Sequence, residues 1–384
     1  MMFRDKTLWG LNSAVLFMMI GVGMIVAVLP QRVMHLDGDG QSVGYLASAF
    51  AFSYILFQIP IGGLADKLGF KPFLIIGYLQ CFLTGLIFFF ATNSNWIFLA
   101  RLFQGVGEAP AWALAPALFS IKYPMDKGKV IGIYNAVIHL GLTFGPVLGI
   151  AVARVLNEQE IFLVYSGCCL LGALTVGILV EPRQGGKAEN SSSLFDLKNL
   201  INMFNQRKVR VSLTGIALYG AGYGIFLTTL PVFLLKEKSL NAIEIGIFFT
   251  LFYAAISLAQ FITGPLSDKF GRSLFMIVGL FITAGAIAIT PVLNTPFILL
   301  ALTVASLGMG VFYLASMSYL NEIVPNDLKG TISGAYYLFW GIGMFFGPPI
   351  MSRVSDAFSF QTAFVIYSFL IVLVAVGLMK NNKC

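Results

Sequence analysis

The chain has 384 residues, of which 58% are hydrophobic and only 11% are charged, and its net charge is +7. Its mean hydropathy of +0.86 excludes a soluble globular protein, because no water-soluble fold has enough interior to bury that share of apolar residues. The solvent for most of the chain is therefore lipid. We interpret the positive charge as a signal of membrane topology and expect no nucleic-acid partner.

Apolar runs of about 20 residues recur along the whole chain, and each is long enough to cross a bilayer as a helix. The runs are continuous and lack the alternation of barrel strands. The predicted fold class is therefore an all-α membrane protein with about twelve transmembrane helices. The predicted spans lie near residues 11–30, 43–63, 72–92, 96–120, 128–153, 161–180, 209–235, 243–263, 273–292, 296–320, 330–352 and 360–379.

The polar connections predict the topology and the domain organisation. Twelve spans with the N-terminus inside leave most of the 24 Lys and Arg residues on the cytoplasmic side, which predicts that both termini are cytoplasmic. The longest polar stretch separates a first six-helix bundle at 1–180 from a second at 209–384. We expect residues 181–208 to be a cytoplasmic linker that contains either an interfacial helix or a solvated turn.

Two loops of similar sequence lie 202 positions apart. One reads Gly-Gly-Leu-Ala-Asp-Lys-Leu-Gly-Phe-Lys, and the other reads Gly-Pro-Leu-Ser-Asp-Lys-Phe-Gly-Arg. We expect their glycines to permit tight turns and close helix approach, and their aspartates to cap helix N-termini and pair with a nearby base. The positions in question are Gly62, Asp66, Gly69, Lys71, Gly264, Asp268, Gly271 and Arg272. Such a repeat predicts two similar halves that rock against each other.

Ionisable residues within predicted spans are costly and are functional candidates. Arg101, Gln104 and Glu108 have i, i+3, i+7 spacing and share one face of the fourth span. Because Arg101 and Glu108 are about 10 Å apart along the axis, Gln104 is placed to bridge them. We interpret Glu108 as a proton-binding group tuned by Arg101, with His139 of the fifth span sharing the proton. A static ion pair with Arg101, and a simple interhelical hydrogen bond for His139, are the alternatives.

The fifth predicted span carries a glycine pattern made of Gly132, Gly141, Gly145, Pro146 and Gly149. The last three glycines form one stripe that lets another helix pack closely, and the proline is expected to kink the helix. Generic small-residue packing is the alternative to a role in transport, because a similar pattern occurs in the second half.

Polar and amphipathic residues of several spans are expected to line a central cavity between the halves. The cavity candidates are Gln58, Gln104, Asn135, Tyr219, Tyr223, Gln260, Tyr313, Tyr336 and Trp340. The sequence has no Ser/His/Asp set, metal cluster or carboxylate pair that would support catalysis. We therefore expect no metal site and no enzymatic activity.

These motifs resemble those of the major facilitator superfamily over essentially the whole chain. The repeated loop resembles the superfamily's signature loop, which implies a cytoplasmic latch between the halves. The glycine pattern resembles the antiporter motif of its drug–proton exporters, although Ile150 stands where those often have another glycine. The run from Arg101 to Glu108 resembles the fourth-span signature, and its glutamate also resembles organic-anion symporters and spinster-like lipid transporters.

The resemblance implies two pseudo-symmetric six-helix bundles and a proton-coupled secondary transporter that works by alternating access. We expect a monomer in the plasma membrane, the inner membrane in a bacterium, that exports small apolar or amphipathic molecules. The proton gradient would replace any cofactor, and the expected partners are substrate, protons and lipid. Uptake of organic anions, transport of lipids or lysolipids, and a membrane-embedded enzyme or sensor are the alternatives. The first span has no acid or base between Trp9 and Pro30, which departs from the organic-anion symporters.

Overall fold

A computed structural model describes residues 5–37, 42–123, 127–153, 155–181, 205–324 and 329–382. Within these ranges the chain is almost entirely helical and contains no strand, so the predicted all-α fold class is confirmed. The first half contains α1 (Lys6–Asp37), α2 (Tyr45–Leu68), α3 (Phe70–Phe90), α4 (Ser94–Lys122), α5 (Lys127–Val152) and α6 (Glu160–Leu179). The second half contains α7 (Arg207–Leu227), α8 (Thr229–Lys236), α9 (Ala242–Phe270), α10 (Arg272–Ile289), α11 (Phe297–Ile323), α12 (Lys329–Ala357) and α13 (Phe360–Asn382).

Nine helical segments in the described ranges are long and apolar enough to cross a membrane. The other three predicted spans correspond to α2, α4 and α12, which have 24, 29 and 29 residues. At about 1.5 Å per residue, each of them exceeds the hydrocarbon thickness of a bilayer. The predicted span at 209–235 is one crossing in two pieces, because the helix breaks at Thr228 between α7 and α8.

The helices pack into two compact units. The first comprises Met1–Asp39 and Ala49–Leu194, and the second comprises Gly40–Ser48 and Phe195–Cys384. Residues 182–204, where we predict the interfacial helix, lie outside the described part of the chain.

The same helix pairings recur in both units. In the first unit, α1 packs on α5 and α6, and α3 packs on α4 and α6. In the second unit, α7 packs on α12 and α13, and α10 packs on α11 and α13. Each of these four pairings therefore has a counterpart in the other unit, which is the internal correspondence that the sequence repeat predicts.

Glycines allow close helix contacts at equivalent places in the two units. A Cβ atom added to Gly77 of α3 would lie 2.6 Å from the carbonyl oxygen of Gly107 on α4. A Cβ atom on Gly279 of α10 would lie 2.7 Å from the carbonyl oxygen of Gly308 on α11. Neither site has room for a side chain, so both helix pairs meet backbone to backbone.

The repeated loops are shorter than the sequence suggests. Because α2 continues to Leu68 and α9 to Phe270, each connection is a single glycine, Gly69 with φ 93° and Gly271 with φ 95°. Side chains other than glycine are strained there, so this part of the turn prediction is confirmed. The prediction was wrong for Gly62 and Gly264, which lie inside helices rather than in a turn. A Cβ atom on Gly264 would be 3.7 Å from its nearest neighbour, which leaves ordinary space.

Candidate functional site

Helix α4 holds a continuous chain of polar side chains. The helix begins after Asn93, whose side chain accepts a hydrogen bond from the backbone N–H of Trp96. Arg101 Nη1 donates to Gln104 Oε1 at 2.8 Å, and Gln104 Nε2 donates to Glu108 Oε1 at 2.8 Å. Trp112, one turn further, donates from Nε1 to Glu108 Oε2 at 3.2 Å. The bridge by Gln104 is thus present.

This polar chain is removed from solvent. Gln104 is 0% exposed, Glu108 is 3% exposed and Arg101 is 8% exposed. The guanidinium of Arg101 also lies over the ring of Phe50, 4.9 Å from its centroid. Among the side chains that the structure describes, Arg101 and Glu108 are the charged ones that are buried. A buried charge is tolerated only where hydrogen bonds or an opposite charge compensate its lost hydration. The polar side chains of α4 supply both.

The hydrogen bonds of Glu108 match an ionised carboxylate. Each carboxylate oxygen accepts an N–H, one from Gln104 and one from Trp112. An ionised carboxylate is an acceptor only, whereas a protonated carboxyl group carries one O–H donor. A proton on either oxygen would remove the negative charge that strengthens both hydrogen bonds.

A tyrosine ties α5 to α4 one turn beyond Glu108, and the second unit repeats the contact. Tyr134 donates its hydroxyl hydrogen to the carbonyl oxygen of Ala111 at 2.8 Å. Tyr336 of α12 donates to the carbonyl oxygen of Tyr313 on α11 at 3.3 Å. Both the donors and the acceptors are 202 positions apart. The alignment of the two tyrosines in the repeat was the available signal for this contact, but the sequence did not give the acceptors.

His139 lies half-buried on α5, five residues after Tyr134. Its backbone carbonyl oxygen accepts a hydrogen bond from the hydroxyl of Thr143 at 2.8 Å. Its sharing of a proton with Glu108 stays a prediction.

The glycine pattern of α5 faces α1. A Cβ atom on Gly145 would lie 2.6 Å from both the Cα of Gly23 and the carbonyl oxygen of Ile20, and one on Gly141 would lie 2.7 Å from the Cβ of Met19. An added Cβ on Gly149 would be 3.5 Å from its nearest neighbour, and one on Gly132 would have nothing within 4 Å. The two central glycines are therefore the ones that close packing requires.

The second unit has an equivalent glycine contact. Gly343 of α12 lies against the backbone of Ala217 on α7, and a Cβ atom on Gly347 would lie 2.5 Å from the Cβ of Ala221. Because the contact is duplicated, the glycine pattern has a packing role in both bundles. Pro146, which follows Gly145, lies within the continuous helix α5.

Five of the predicted cavity residues come together in the second unit. The ring centroids are 5.5 Å apart for Tyr219 and Tyr313, 6.3 Å for Tyr219 and Tyr223, 5.8 Å for Tyr223 and Trp340, and 6.0 Å for Tyr313 and Tyr336. We call these five residues the aromatic cluster. Tyr219 and Tyr336 are buried, whereas the other three are half-buried.

The other cavity candidates are dispersed. Gln104 belongs to the buried polar chain of α4, and Gln260 is half-buried on α9. Asn135 is exposed on α5. The side chain of Gln58 lies outside the described part of the structure.

The second copy of the repeated loop forms an ion-pair network. Arg272 pairs with Asp268, and its Nε lies 2.9 Å from Glu322 Oε1 of α11. Its Nη1 donates to the hydroxyl of Ser267 at 2.7 Å. Pairing of the aspartate with a base is therefore observed. The predicted capping role was wrong for Asp268, because Gly271 occupies the N-cap position of α10 and no side chain caps it.

In the first copy of the loop, Lys71 donates from Nζ to the carbonyl oxygen of Gly177 at 2.8 Å, which joins α3 to the last turn of α6. The side chain of Asp66 is outside the described residues. The latch between the halves that the family resemblance implies stays a prediction.

A second charged cluster, which the sequence analysis missed, joins three helix ends of the first unit. Lys122 Nζ lies 2.9 Å from Asp5 Oδ2, 3.1 Å from Glu181 Oε2 and 2.9 Å from Thr7 Oγ1. Burial raises the pKa of Asp5, but hydrogen bonds from Tyr123, Lys122 and the Thr7 backbone, with the charge of Lys122, outweigh it and lower that pKa. Asp5 Oδ1 also accepts a hydrogen bond from the backbone N–H of Thr7 at 2.8 Å and so caps the start of α1. An aspartate directly before an apolar helix was the available signal for this cap. No group of three or more metal-ligating side chains occurs in the described ranges.

The chain forms two matching all-helical bundles that span a membrane, and one bundle contains the buried polar chain of α4. These features define a polytopic membrane transporter. The chain belongs to the Major Facilitator Superfamily, whose family model matches residues 11–248 and 212–382. It is accordingly a multi-pass transporter and not an enzyme.

Individual relatives have diverse substrates. The chain is 23% identical over 359 residues to Multidrug resistance protein 1 of Bacillus subtilis, covering 92% of this chain and 90% of the relative. It is 24% identical over 370 residues to the probable galactarate/D-glucarate transporter GarP of Escherichia coli, covering 84% and 82%. Among solved structures, the nucleoside transporter NupG is similar in fold, with a TM-score of 0.84 at 16% identity and coverage of 97% and 99%.

Proposed function

We propose that this protein is a proton-coupled secondary active transporter that works by alternating access and exports small apolar or amphipathic molecules. It would act in the plasma membrane, the inner membrane of a bacterium, with both termini in the cytoplasm and the proton gradient as its energy source. The observation that carries the proposal is the buried carboxyl group of Glu108, whose two oxygens each accept an N–H donor.

This arrangement supports two states of nearly balanced energy. The ionised carboxylate keeps both N–H donors and the charge of Arg101, relayed through Gln104. The protonated form escapes the cost of a buried negative charge but holds both N–H donors more weakly, because they no longer bond to a charged group. The bond from Trp112 is the longer of the two at 3.2 Å, so it is the one we expect to break. Trp112 is half-buried and can change rotamer, which would link the proton to side-chain movement on α4.

The duplicated packing supports rocking of rigid bundles. Backbone-to-backbone contacts at glycines, such as Gly145 on Gly23, hold the helices of one bundle together. In alternating access the bundles move as bodies around the substrate. The hydrogen bond from Tyr134 to Ala111 keeps α5 attached to the segment of α4 that carries Glu108. Movement of α5 and the protonation of Glu108 would therefore influence each other.

The test replaces Glu108 with glutamine in purified protein reconstituted into proteoliposomes. Glutamine keeps the size and one acceptor oxygen but cannot ionise. With an imposed pH gradient, the wild type is expected to move substrate against the proton flow, and Glu108→Gln is expected to lose gradient-driven transport. Equilibrium exchange of substrate without a gradient should persist in the variant, because the exchange needs no net proton transfer.

Glu237→Gln is the matched control, because Glu237 is an exposed carboxylate after the end of α8. We expect it to transport like the wild type. Undiminished gradient-driven transport by Glu108→Gln would refute the proton role. A static ion pair predicts a different result, namely that the double variant Arg101→Gln with Glu108→Gln regains gradient-driven transport.

Uptake of organic anions with protons is the second candidate. It is favoured by Arg101, a buried cation on α4, and by the similarity to the probable galactarate/D-glucarate transporter GarP. The direction of the response to the gradient separates the two candidates. A symporter accumulates an anionic substrate on the side to which protons flow, whereas an exchanger accumulates its substrate on the opposite side. Lipid or lysolipid transport would appear as movement of labelled lipid in the same vesicles.

A further inference from the structure

Helices α3 and α6 touch through glycines at two levels of their crossing. A Cβ atom on Gly85 of α3 would lie 2.8 Å from the Cβ of Ser166 on α6. Two turns away, a Cβ atom on Gly172 of α6 would lie 2.6 Å from the Cδ1 of Tyr78 on α3. Because the residue numbers fall along one helix as they rise along the other, the two helices are antiparallel and stay close between these levels.

Two free thiols face each other between the two glycine contacts. Cys81 of α3 and Cys169 of α6 lie in the middle of this interval, and both are 0% exposed. Their thiols are within hydrogen-bonding distance of each other. A Cβ atom on Gly107 of α4 would lie 2.7 Å from the Sγ of Cys81, so the missing side chain there makes room for the sulfur. A disulfide needs Cβ atoms about 3.5–4.5 Å apart, and the glycine contacts on either side bring the helices close enough for that.

The second unit shows that packing does not require a thiol at either position. The residues 202 positions further on are Thr283 and Ile371. Thr283 donates its hydroxyl hydrogen to the carbonyl oxygen of Gly279 at 2.9 Å and lies 3.3 Å from that of Ala305. Ile371 is 1% exposed. Because a hydroxyl group and a hydrocarbon fill the equivalent places in the second unit, the thiol pair is a distinct chemical feature of the first.

Lipid, rather than water, is the medium next to this pair. In the most apolar stretches of α3 and α6, only 39% and 44% of the residues are buried within the protein. Leu83 of α3 and Leu170 of α6, which are close to the cysteines in sequence, are exposed. The thiols therefore lie directly behind lipid-facing side chains. A lipid-soluble reagent can approach them there, whereas a charged, water-soluble one would have to leave water to do so.

We propose that Cys81 and Cys169 form a redox site, which a lipid-soluble organic hydroperoxide oxidises to a disulfide between α3 and α6. One sulfur attacks the O–O bond and becomes a sulfenic acid, while the hydroperoxide is reduced to an alcohol. The other thiol then attacks the sulfenic sulfur, which forms the S–S bond and releases water. The two thiols together lose two electrons and two protons, and the hydroperoxide accepts them.

The cross-link would close a loop that contains the whole of α4 and α5, including Glu108. Closing such a long loop restricts the unfolded chain, so it should raise the melting temperature by about 4–16 °C for a unit of this size. The inference goes beyond the proposed function, because it depends neither on the proton role of Glu108 nor on the direction of transport.

Mass spectrometry of the full-length protein tests the cross-link. The double variant Cys168→Ser with Cys384→Ser keeps Cys81 and Cys169 as its only thiols and is reconstituted into proteoliposomes. Cumene hydroperoxide, which dissolves in lipid, is expected to remove the mass of two hydrogen atoms and to join the two peptides that contain these cysteines. Tetrathionate, a dianion that also oxidises thiols, is expected to leave the pair reduced. Unchanged thiols after the hydroperoxide, added oxygen without a cross-link, or equal oxidation by tetrathionate would overturn the proposal.

Two further variants in this background are the controls for stability. Cys81→Thr and Cys169→Ile each introduce the residue that stands at the equivalent position of the second unit, so both are expected to fold. Neither variant can form the cross-link. The hydroperoxide should therefore raise the melting temperature of the parent protein and of neither variant. An equal rise in all three proteins, or no rise in the cross-linked parent, would contradict the proposal.

Discussion

The close contact between α1 and α5 makes a graded prediction for alanine substitutions in the glycine pattern. A Cβ atom on Gly145 would lie 2.6 Å from the Cα of Gly23, about 1 Å inside a normal carbon–carbon contact. The carbonyl oxygen of Ile20 is equally close. Both of these neighbours are backbone atoms that no rotamer change can move, so α1 and α5 must separate. Overpacking of this kind costs about 1–3 kcal/mol of stability. Gly141→Ala meets the Cβ of Met19 at 2.7 Å and should cost a similar or smaller amount.

Two positions of the same pattern provide controls. An alanine at Gly149 would make an ordinary contact at 3.5 Å, and one at Gly132 would find nothing within 4 Å. Because alanine favours a helix over glycine by about 1 kcal/mol, neither substitution should destabilise the protein. Thermal unfolding of the purified variants in detergent gives the order, with Gly145→Ala the least stable. Equal stability of Gly145→Ala and Gly132→Ala would refute the packing argument.

Three further predictions concern a glycine turn, two tyrosine hydrogen bonds and an ion pair. Gly271→Ala should cost about 1–3 kcal/mol although nothing lies within 4 Å of the added atom, because its φ is 95°; unaltered thermal stability would contradict this. Tyr134→Phe and Tyr336→Phe each remove one hydrogen bond and should each cost about 1 kcal/mol of stability. Only Tyr134→Phe should move the pH midpoint of transport, because only Tyr134 is bonded to α4, the helix that carries Glu108. Equal shifts in the two variants would count against this link. The pKa of Asp5 is held below its ordinary 3.8, so its pairing with Lys122 stabilises the fold above that pH and is lost as the pH falls below it. Asp5→Asn should flatten the acid limb of a melting-temperature profile, and an unchanged limb would contradict the reasoning.

Most of the fold could be predicted from the apolar runs and the internal repeat of the sequence. Span length and composition were sufficient to predict the membrane helices, because any apolar run of about 20 residues must satisfy its backbone within lipid. The aligned pair Gly69 and Gly271 predicted both tight turns, since only a glycine readily adopts that φ. The single-residue length of each turn was not predictable, because the aligned pair Gly62 and Gly264 suggested longer loops. The break at Thr228 had a signal that was not used, because Pro231 lies in the first turn of α8 and has no N–H to donate to the preceding turn.

The candidate site was only partly visible in the sequence. Helical spacing placed Arg101, Gln104 and Glu108 on one face, because that inference needs only the helical period. Trp112, which donates to Glu108, lies on the same helix face. Because tryptophan is common in membrane helices, the sequence gave no reason to choose Trp112 as a site residue. Residues joined across helices, such as Lys122 and Asp5, depend on the tertiary arrangement and could not be paired from one sequence.

Proton movement caused by substrate is the most direct test of the central claim. Substrate is added outside proteoliposomes that contain a pH-sensitive dye and no imposed gradient, and the luminal pH is followed. If the protein is a proton-coupled exchanger, entry of substrate into the lumen will drive protons out and raise the luminal pH, and Glu108→Gln will abolish this change while substrate still enters. Substrate entry into wild-type vesicles with no change in luminal pH would contradict the account.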